Sequence, residues 1–515
     1  MFCFPCEMAN AINIPKTHLI MGLSLPLAVL LGYFVAEPME LGSMAVVVLV
    51  LTVLSIPLLM RWYYPLLVVC WNAAINPIVF PGRASLWMLL AFVGLFFALL
   101  NRAVDAKARF INVPPLTHSL LLLAAVAVIT AMLTGGIGVA SLGSSQYGGG
   151  KYVTLLSGIA GYFALTSRRI PPNRAKLYVA CFFLSGISYA VATVAVMVGP
   201  KLDFLMAIFS PMYAMEQMSR EGVLNVGMVR LGGLHMLAGA VYCYMLARFG
   251  IRGLLDMTRP WRLLVFVVAV GAGLYGGFRS YVAVFGLTFA AMFFLERLHR
   301  TRFLGVFLGV GLLGGVIILP QAHKLPIVAQ RALSFLPGSF DAFALESAKT
   351  TIEWRVEMWK QVWPDVPKHL FRGKGLALDP TELFMADESS HRGDGLQGTI
   401  VAGDYHNGPL SILIPFGIYG MIAFLWFIIA GMRYLYRNYK FGDPEYRNVN
   451  TLLLASFVAH ACFFFIFFGA LCSDIAIFAG LLGLGVALNG ADDDAPARAE
   501  TPPVGVDLNT EYIRA

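Results

Sequence analysis

Fourteen apolar runs divide the chain, at 18–36, 42–60, 64–80, 84–100, 117–140, 152–166, 176–199, 231–249, 261–276, 279–295, 303–320, 409–430, 452–469 and 472–489. About 20 apolar residues in helical form cross a bilayer core, so each run predicts a membrane-spanning helix. The run 64–80 departs most from the pattern, because Asn72, Asn76 and Pro77 lie inside it. Proline and glycine in the other runs are compatible with helix, since membrane bundles tolerate both. The first run is long and no small-x-small site follows it, so it reads as a span and not as a cleaved leader.

The polar segments between runs alternate in charge. Arg102, Lys107 and Arg109 lie in 101–110, and Arg168, Arg169, Arg174 and Lys176 in 167–176. Arg248, Arg252, Arg259 and Arg262 lie in 248–262, Arg297, Arg300 and Arg302 in 296–302, and Arg433, Arg437, Lys440 and Arg447 in 431–447. Every second loop is positive, which places these in the cytoplasm. The loops 141–151, 200–230, 277–278, 321–408 and 470–471 then face outside, and both termini face inside. The expected organisation is a bundle of eleven spans over 1–320, a large outer loop over 321–408, three spans over 409–489 and a disordered acidic tail over 490–515.

Composition agrees with a membrane protein. Of the 515 residues 58% are hydrophobic and 13% charged, with mean hydropathy +0.74, against about 25% charged in a soluble domain. This excludes an ordinary soluble enzyme, a disordered chain and a nucleic-acid-binding module. The net charge of +8 reads as topology signal. The seven cysteines are scattered; Cys3 and Cys6 form a CxxC that no second pair answers, so neither a disulfide framework nor a zinc cluster is implied.

The charges that exist are unevenly placed. The 88-residue segment 321–408 holds 20 of the 66 charged residues and four of the nine histidines. A connection this long is functional or disordered, and its aromatic content, with Trp354, Trp359 and Trp363 among others, argues for order. Thr350 with Glu353 fits a capping box and Pro364 a stop. Between them Trp354, Met358 and Val362 share one helical face, with Arg355, Trp359 and Trp363 on the next. One reading is an amphipathic helix lying on the membrane surface, and this is compatible with a chemical role for Arg355.

The spans contain almost no ionisable residues, His235 and His460 being the notable exceptions, which argues against an ion-coupled transporter. Polar groups gather at the outer boundary: Arg220 and Arg230 before the 231 span, Arg279 at the start of the 279 span, and the long loop. Guanidinium binds phosphate oxygens in bidentate fashion, so these arginines suit an anionic lipid headgroup. Interfacial anchoring is the alternative for any single one. His406, in Gly403-Asp404-Tyr405-His406-Asn407-Gly408-Pro409, sits just before a span on the same side. It is a candidate general base.

Several pieces resemble the O-antigen ligase and O-antigen polymerase superfamily of bacterial polysaccharide assembly. Arg355-Val-Glu-Met-Trp359 through Pro367 to Arg372-Gly-Lys-Gly375 is similar to the family's loop pattern. His406-Asn407, Leu410, Gly417 and Gly420 resemble its run into the next span. Gly277-Phe-Arg279-Ser280 and Arg230-Leu-Gly232 resemble its arginine elements at helix starts. Phe278 stands where the family usually has Ser, and His235 lies where an Asn often follows. The specific resemblance covers roughly 225 to 430.

The resemblance implies an all-α, polytopic glycosyltransferase of the C type in the bacterial inner membrane, and the apolar runs give it about 14 spans and one large helical periplasmic loop. It would transfer a glycan from undecaprenyl diphosphate to an acceptor hydroxyl, on a lipid A core or a growing glycan, without metal or other cofactor. Carried over by residue, Arg230 and Arg279 bind the diphosphate and His406 orients or deprotonates the acceptor. Arg355, Asn407, Arg220 and Arg372 are further substrate-binding candidates. Membrane lipids and a chain-length regulator are candidate partners; nucleic acid is not. The alternatives are a transporter or flippase of lipid-linked saccharides and a protein O-oligosaccharyltransferase. A flippase predicts charges deep in several spans and two similar halves, and the chain shows neither.

Overall fold

The computed structural model describes residues 28–29, 32, 41–78, 80–105, 110–138, 148–198, 200–209, 232–378, 380–391 and 395–491. Outside them lie the Cys3–Cys6 pair, the run 18–36 apart from three positions, Lys107 and Arg109, residues 139–147 and 210–231, and the tail beyond 491. The chain forms two compact units, Met1–Tyr63 and Tyr64–Ala515. The first contributes mainly the beginning of helix α1 (Leu41–Cys70).

The second unit is built from helices. These are α2 (Leu86–Val104), α3 (Pro114–Leu133), α4 (Gly149–Leu165), α5 (Pro172–Leu184), α6 (Tyr189–Val198), α7 (Gly232–Leu254), α8 (Trp261–Leu274), α9 (Arg279–Leu295) and α10 (Phe303–Ile318). The long polar segment then folds as α11 (Ile327–Leu333), α12 (Ala342–Val362), α13 (Val366–His369), α14 (Pro380–His391) and α15 (Gly395–Val401). The chain finishes with α16 (Leu410–Phe441), α17 (Arg447–Ile466) and α18 (Leu471–Asn489).

Eight described helices are long and apolar enough to cross a membrane, α5 and α6 counting together, so the protein is a multi-pass membrane protein. This is fewer than fourteen for identifiable reasons. The runs 42–60 and 64–80 meet in α1, and residues 71–78 leave the helix around the asparagines that mark the second run. Helices α4, α8 and α9 have 17, 14 and 17 residues, short of a full span at 1.5 Å per residue. The run 18–36 falls almost wholly outside the described residues. Among the eight, α16, α17 and α18 are the most enclosed, and α10 has no buried residue. The apolar side chains of α10, such as Leu308 and Leu312, therefore face outward, as lipid contact allows.

The polar segments sort into two groups, each joined by its own hydrogen bonds. In one, Glu296 accepts from the Ile251 and Arg252 amides at 2.8 and 3.1 Å, and Tyr439 donates to the Leu295 carbonyl at 2.7 Å. Lys176 pairs with Glu445 at 3.1 Å. These are the positive loops. In the other group, Arg372 donates to the Leu133 carbonyl and Lys151 pairs with Asp404 at 2.8 Å.

The second group contains an unusual seam. Pro415 interrupts α16, and Gly417 takes φ 64° inside the helix. Pro415 lacks its own helical hydrogen bond, and the non-helical Gly417 opens those of the Ile414 and Pro415 carbonyls and the Ile418 amide, leaving these groups to be satisfied. Residues 370–375 satisfy them: Lys374 and Gly375 donate to the Ile414 and Pro415 carbonyls at 2.8 and 3.0 Å, and Ile418 donates to the Leu370 carbonyl at 2.7 Å. Gly373 adopts φ 75°, and a Cβ there would collide with the Pro415 carbonyl. The Gly-Lys-Gly motif thus closes a break in a span. We expect Gly373→Ala to destabilise the protein by more than about 1 kcal/mol, through both positive φ and the clash. Thermal unfolding in detergent checks this, and an unchanged midpoint would refute it.

The loop helix begins earlier than the capping-box pattern suggests. Asp341 is the cap, its carboxylate accepting from the Phe343 amide at 2.8 Å, while its own amide donates to Gln330 Oε1 at 2.7 Å. Thr350 lies mid-helix and bonds back to the Glu346 carbonyl at 2.8 Å. A helix with Ala342, Ala344 and Ala348 near its start loses little side-chain entropy in extending N-terminally, so the first available carboxylate cap defines its end.

Candidate functional site

Helix α12 is the piece that organises the residues of the second group. Its predicted apolar face is its packing face: Met358 and Val362 are buried against Tyr405, Leu410 and Ile414, with Trp354 and Trp359 beside them. Trp359 Nε1 donates to the Tyr405 carbonyl at 2.8 Å. The helix therefore docks on protein along this face, while Trp363 stays 65% exposed. One residue beyond the docked Tyr405 comes His406.

His406 has φ 50°, a left-handed conformation outside glycine. Its ring lies between two aromatic rings, 5.6 Å from Trp354 and 5.0 Å from Phe468, nearly parallel to the second. The Arg355 guanidinium sits 5.2 Å from the Phe468 ring centroid, a cation–π contact at the same place. Burial pushes the His406 imidazole below its ordinary range, and the Arg355 and Lys151 charges add to this while Asp404 opposes it. This favours the neutral imidazole, the form able to accept a proton.

Arg279 opens α9, immediately after Gly277 at φ 73° and the extended Phe278. Its Nη2 donates to the Ala348 carbonyl of α12 at 3.1 Å. Ala348 and Trp354 are six residues apart, about 9 Å along a helix. One helix thus holds a guanidinium near its first half and an imidazole further on. This arrangement offers an anion-binding group and a proton acceptor along one helix.

The remaining sequence candidates take varied places. Arg220 and Arg230 lie outside the described residues. Arg372 sits at the seam, bonded to the end of α3. Asn407 caps α16: its Oδ1 accepts from the Leu410 amide at 3.1 Å and its carbonyl accepts from the Ser411 amide at 2.9 Å. The structure therefore brings together Arg355 and His406, links Arg279 to them through α12, and gives Asn407 a helix-capping bond. His235 packs its ring 4.4 Å from Phe278, next to Arg279. Among the described residues no group of three or more His, Cys, Asp or Glu is placed to hold a metal ion.

Residues 263–425 match the family model described as O-antigen ligase. The chain carries an O-antigen ligase domain. No curated protein matches the chain. The ligase domain is that of a glycosyltransferase-type enzyme family, and it contains Arg279, Arg355, Arg372, His406 and Asn407. Its boundaries run from α8 into α16 and take in the whole of α12.

Two ionisable residues near this site escaped the sequence reading. Asp474 lies in the first turn of α18, where its carboxylate accepts from the Ala470 amide at 2.8 Å; a helix N-terminus favours such a charge. Lys151 lies in the first turn of α4 and reaches the segment before His406. The signal that could have found it is its sidedness: a lysine closing a loop on the face opposite the positive loops.

Proposed function

We propose that the protein transfers a glycan from undecaprenyl diphosphate to an acceptor hydroxyl at the periplasmic face of the bacterial inner membrane, as an O-antigen ligase or a polysaccharide polymerase. The observation that carries this reading is the single helix α12, which contacts both Arg279 and His406 inside the matched domain. Arg279, with Arg230, holds the diphosphate, and Arg220, Arg355 and Arg372 add positive charge around the lipid-linked donor. Asn407 supports His406 by capping the next span.

In the reaction, the acceptor oxygen bonds to C1 of the donor sugar. The C1–O bond to the diphosphate breaks, its electron pair leaving with the diphosphate, and the acceptor proton passes to the neutral His406 imidazole. Charge grows on the leaving diphosphate, so fixed guanidinium groups aimed there lower the barrier. Attack from the opposite face inverts C1. The eight spans and the shorter apolar helices make up one membrane bundle, with the 321–408 segment outside.

Purified protein reconstituted with a defined undecaprenyl-diphosphate glycan tests this, offered lipid A core, a second donor molecule or a peptide. Extension of the first identifies a ligase, of the second a polymerase, and of the third a protein glycosyltransferase; transfer to none overturns the reading. In right-side-out vesicles an impermeant acceptor added outside should be extended, and extension only in inverted vesicles reverses the orientation.

A further inference from the structure

Lys151 comes from α4, outside the matched domain, 253 residues from its partner Asp404. Its Nζ pairs with Asp404 Oδ1 at 2.8 Å and donates to the Ala402 carbonyl. The next residue, Tyr152, is buried, and its hydroxyl accepts from the Leu376 amide at 3.1 Å at the far side of the Gly-Lys-Gly seam. The start of α4 therefore clasps both pieces of the long loop that flank the site. Between the Lys151 contacts and the Trp359–Tyr405 bond, residues 402–405 are held at both ends. His406 follows directly in its left-handed conformation, which a chain held on only one side would not maintain.

We infer that Lys151 is a positioning residue of the site: by gripping Ala402 and Asp404 it holds the segment that presents His406 and, with Asp404, tunes the imidazole. The proposal rests on His406 being the base of the transfer reaction. The charged groups that act on His406 are Arg355 on α12, Lys151 on α4 and Asp404 on its own segment. From the start of α18 comes Asp474, whose carboxylate is engaged by the Ala470 amide; Trp354 and Phe468, against the ring itself, are uncharged.

The sign of each charge separates tuning from mere support. Lys151 and Arg355 disfavour the imidazolium and Asp404 favours it. Lys151→Met should move the His406 titration to higher pH, and Asp404→Asn should move it to lower pH. An exposed or half-exposed charge pair sets the scale, about 0.3–0.7 pH unit in each direction. Lys151→Arg should keep the wild-type titration.

The titration is read directly, from the pH dependence of His406 carbethoxylation by diethyl pyrocarbonate in the purified full-length protein, followed by peptide mass spectrometry. It is read in parallel from the acidic limb of glycan transfer. Lys151→Met should also lower the transfer rate about 10–100-fold, the cost of a misplaced base. Opposite shifts in the two variants support the inference. Unshifted carbethoxylation in both, or a loss of transfer equal at every pH, overturns it and leaves the transferase reading standing. Opposite shifts in a protein whose wild type transfers no glycan would instead overturn the transferase reading alone. If Lys151→Met fails to fold, Asp404→Asn and Lys151→Arg still decide.

Discussion

Arg279→Ala should cut glycan transfer by about 10²–10³-fold while the protein remains folded in the membrane. The guanidinium is a planar fork with five donors, of which the structure commits one nitrogen to the Ala348 carbonyl. The others remain to meet an anion whose charge increases as the glycosidic bond breaks. Loss of the Ala348 bond alone is a small effect on folding, about 1 kcal/mol. Helix α12 keeps its Asp341 cap, its Trp359–Tyr405 bond and its buried Met358 and Val362. Arg279→Lys should stay impaired, because an ammonium supplies charge without the fork. Transfer assays paired with unfolding midpoints separate the two effects. Full activity of the alanine variant would remove Arg279 from the site.

His406→Asn should be inactive to within about 10²–10⁴-fold of wild type, the range a general base contributes. Asparagine is the better replacement because it adopts the left-handed conformation at position 406 readily, so the backbone there need not change. The pH dependence follows from the sign of the shift. Burial first, then Arg355, holds the imidazole below its ordinary range, and the base must be neutral to act. Wild-type transfer should therefore hold level as pH falls through the ordinary histidine value near 6.5, and decline only below it. A decline that begins above pH 7, or an asparagine variant with the same acidic limb as wild type, would take His406 out of the proton transfer.

Parts of the site were legible in the chain because they are local. Hydropathy outlines the spans, since a run of apolar residues is its own signal. The face Trp354, Met358 and Val362 was visible because helical spacing is a property of nine consecutive positions. What it packs against was not: the same stripe suits a lipid surface or a protein one, and the structure seats it on Tyr405, Leu410 and Ile414. The helix start was misplaced for a related reason. Thr350 and Glu353 satisfy a local pattern, but the Asp341 cap, held in turn by Gln330, ends the helix a full two turns earlier.

The amino-acid sequence by itself determined that this is a multi-pass membrane protein with charge-alternating loops, one ordered polar segment and an arginine–histidine set resembling a glycan transferase. Hydropathy, loop charge and short motifs are read residue by residue, so they need no three-dimensional partner. Only the tertiary structure decided which residues meet. It placed Lys151 on Asp404, used Gly373 to close the break at Pro415, and paired Asn450 with Asn489 in a buried, reciprocal amide contact at 2.9 and 3.1 Å. Each contact joins helices or loops far apart in the chain, and no local period encodes the packing that brings them within hydrogen-bond reach.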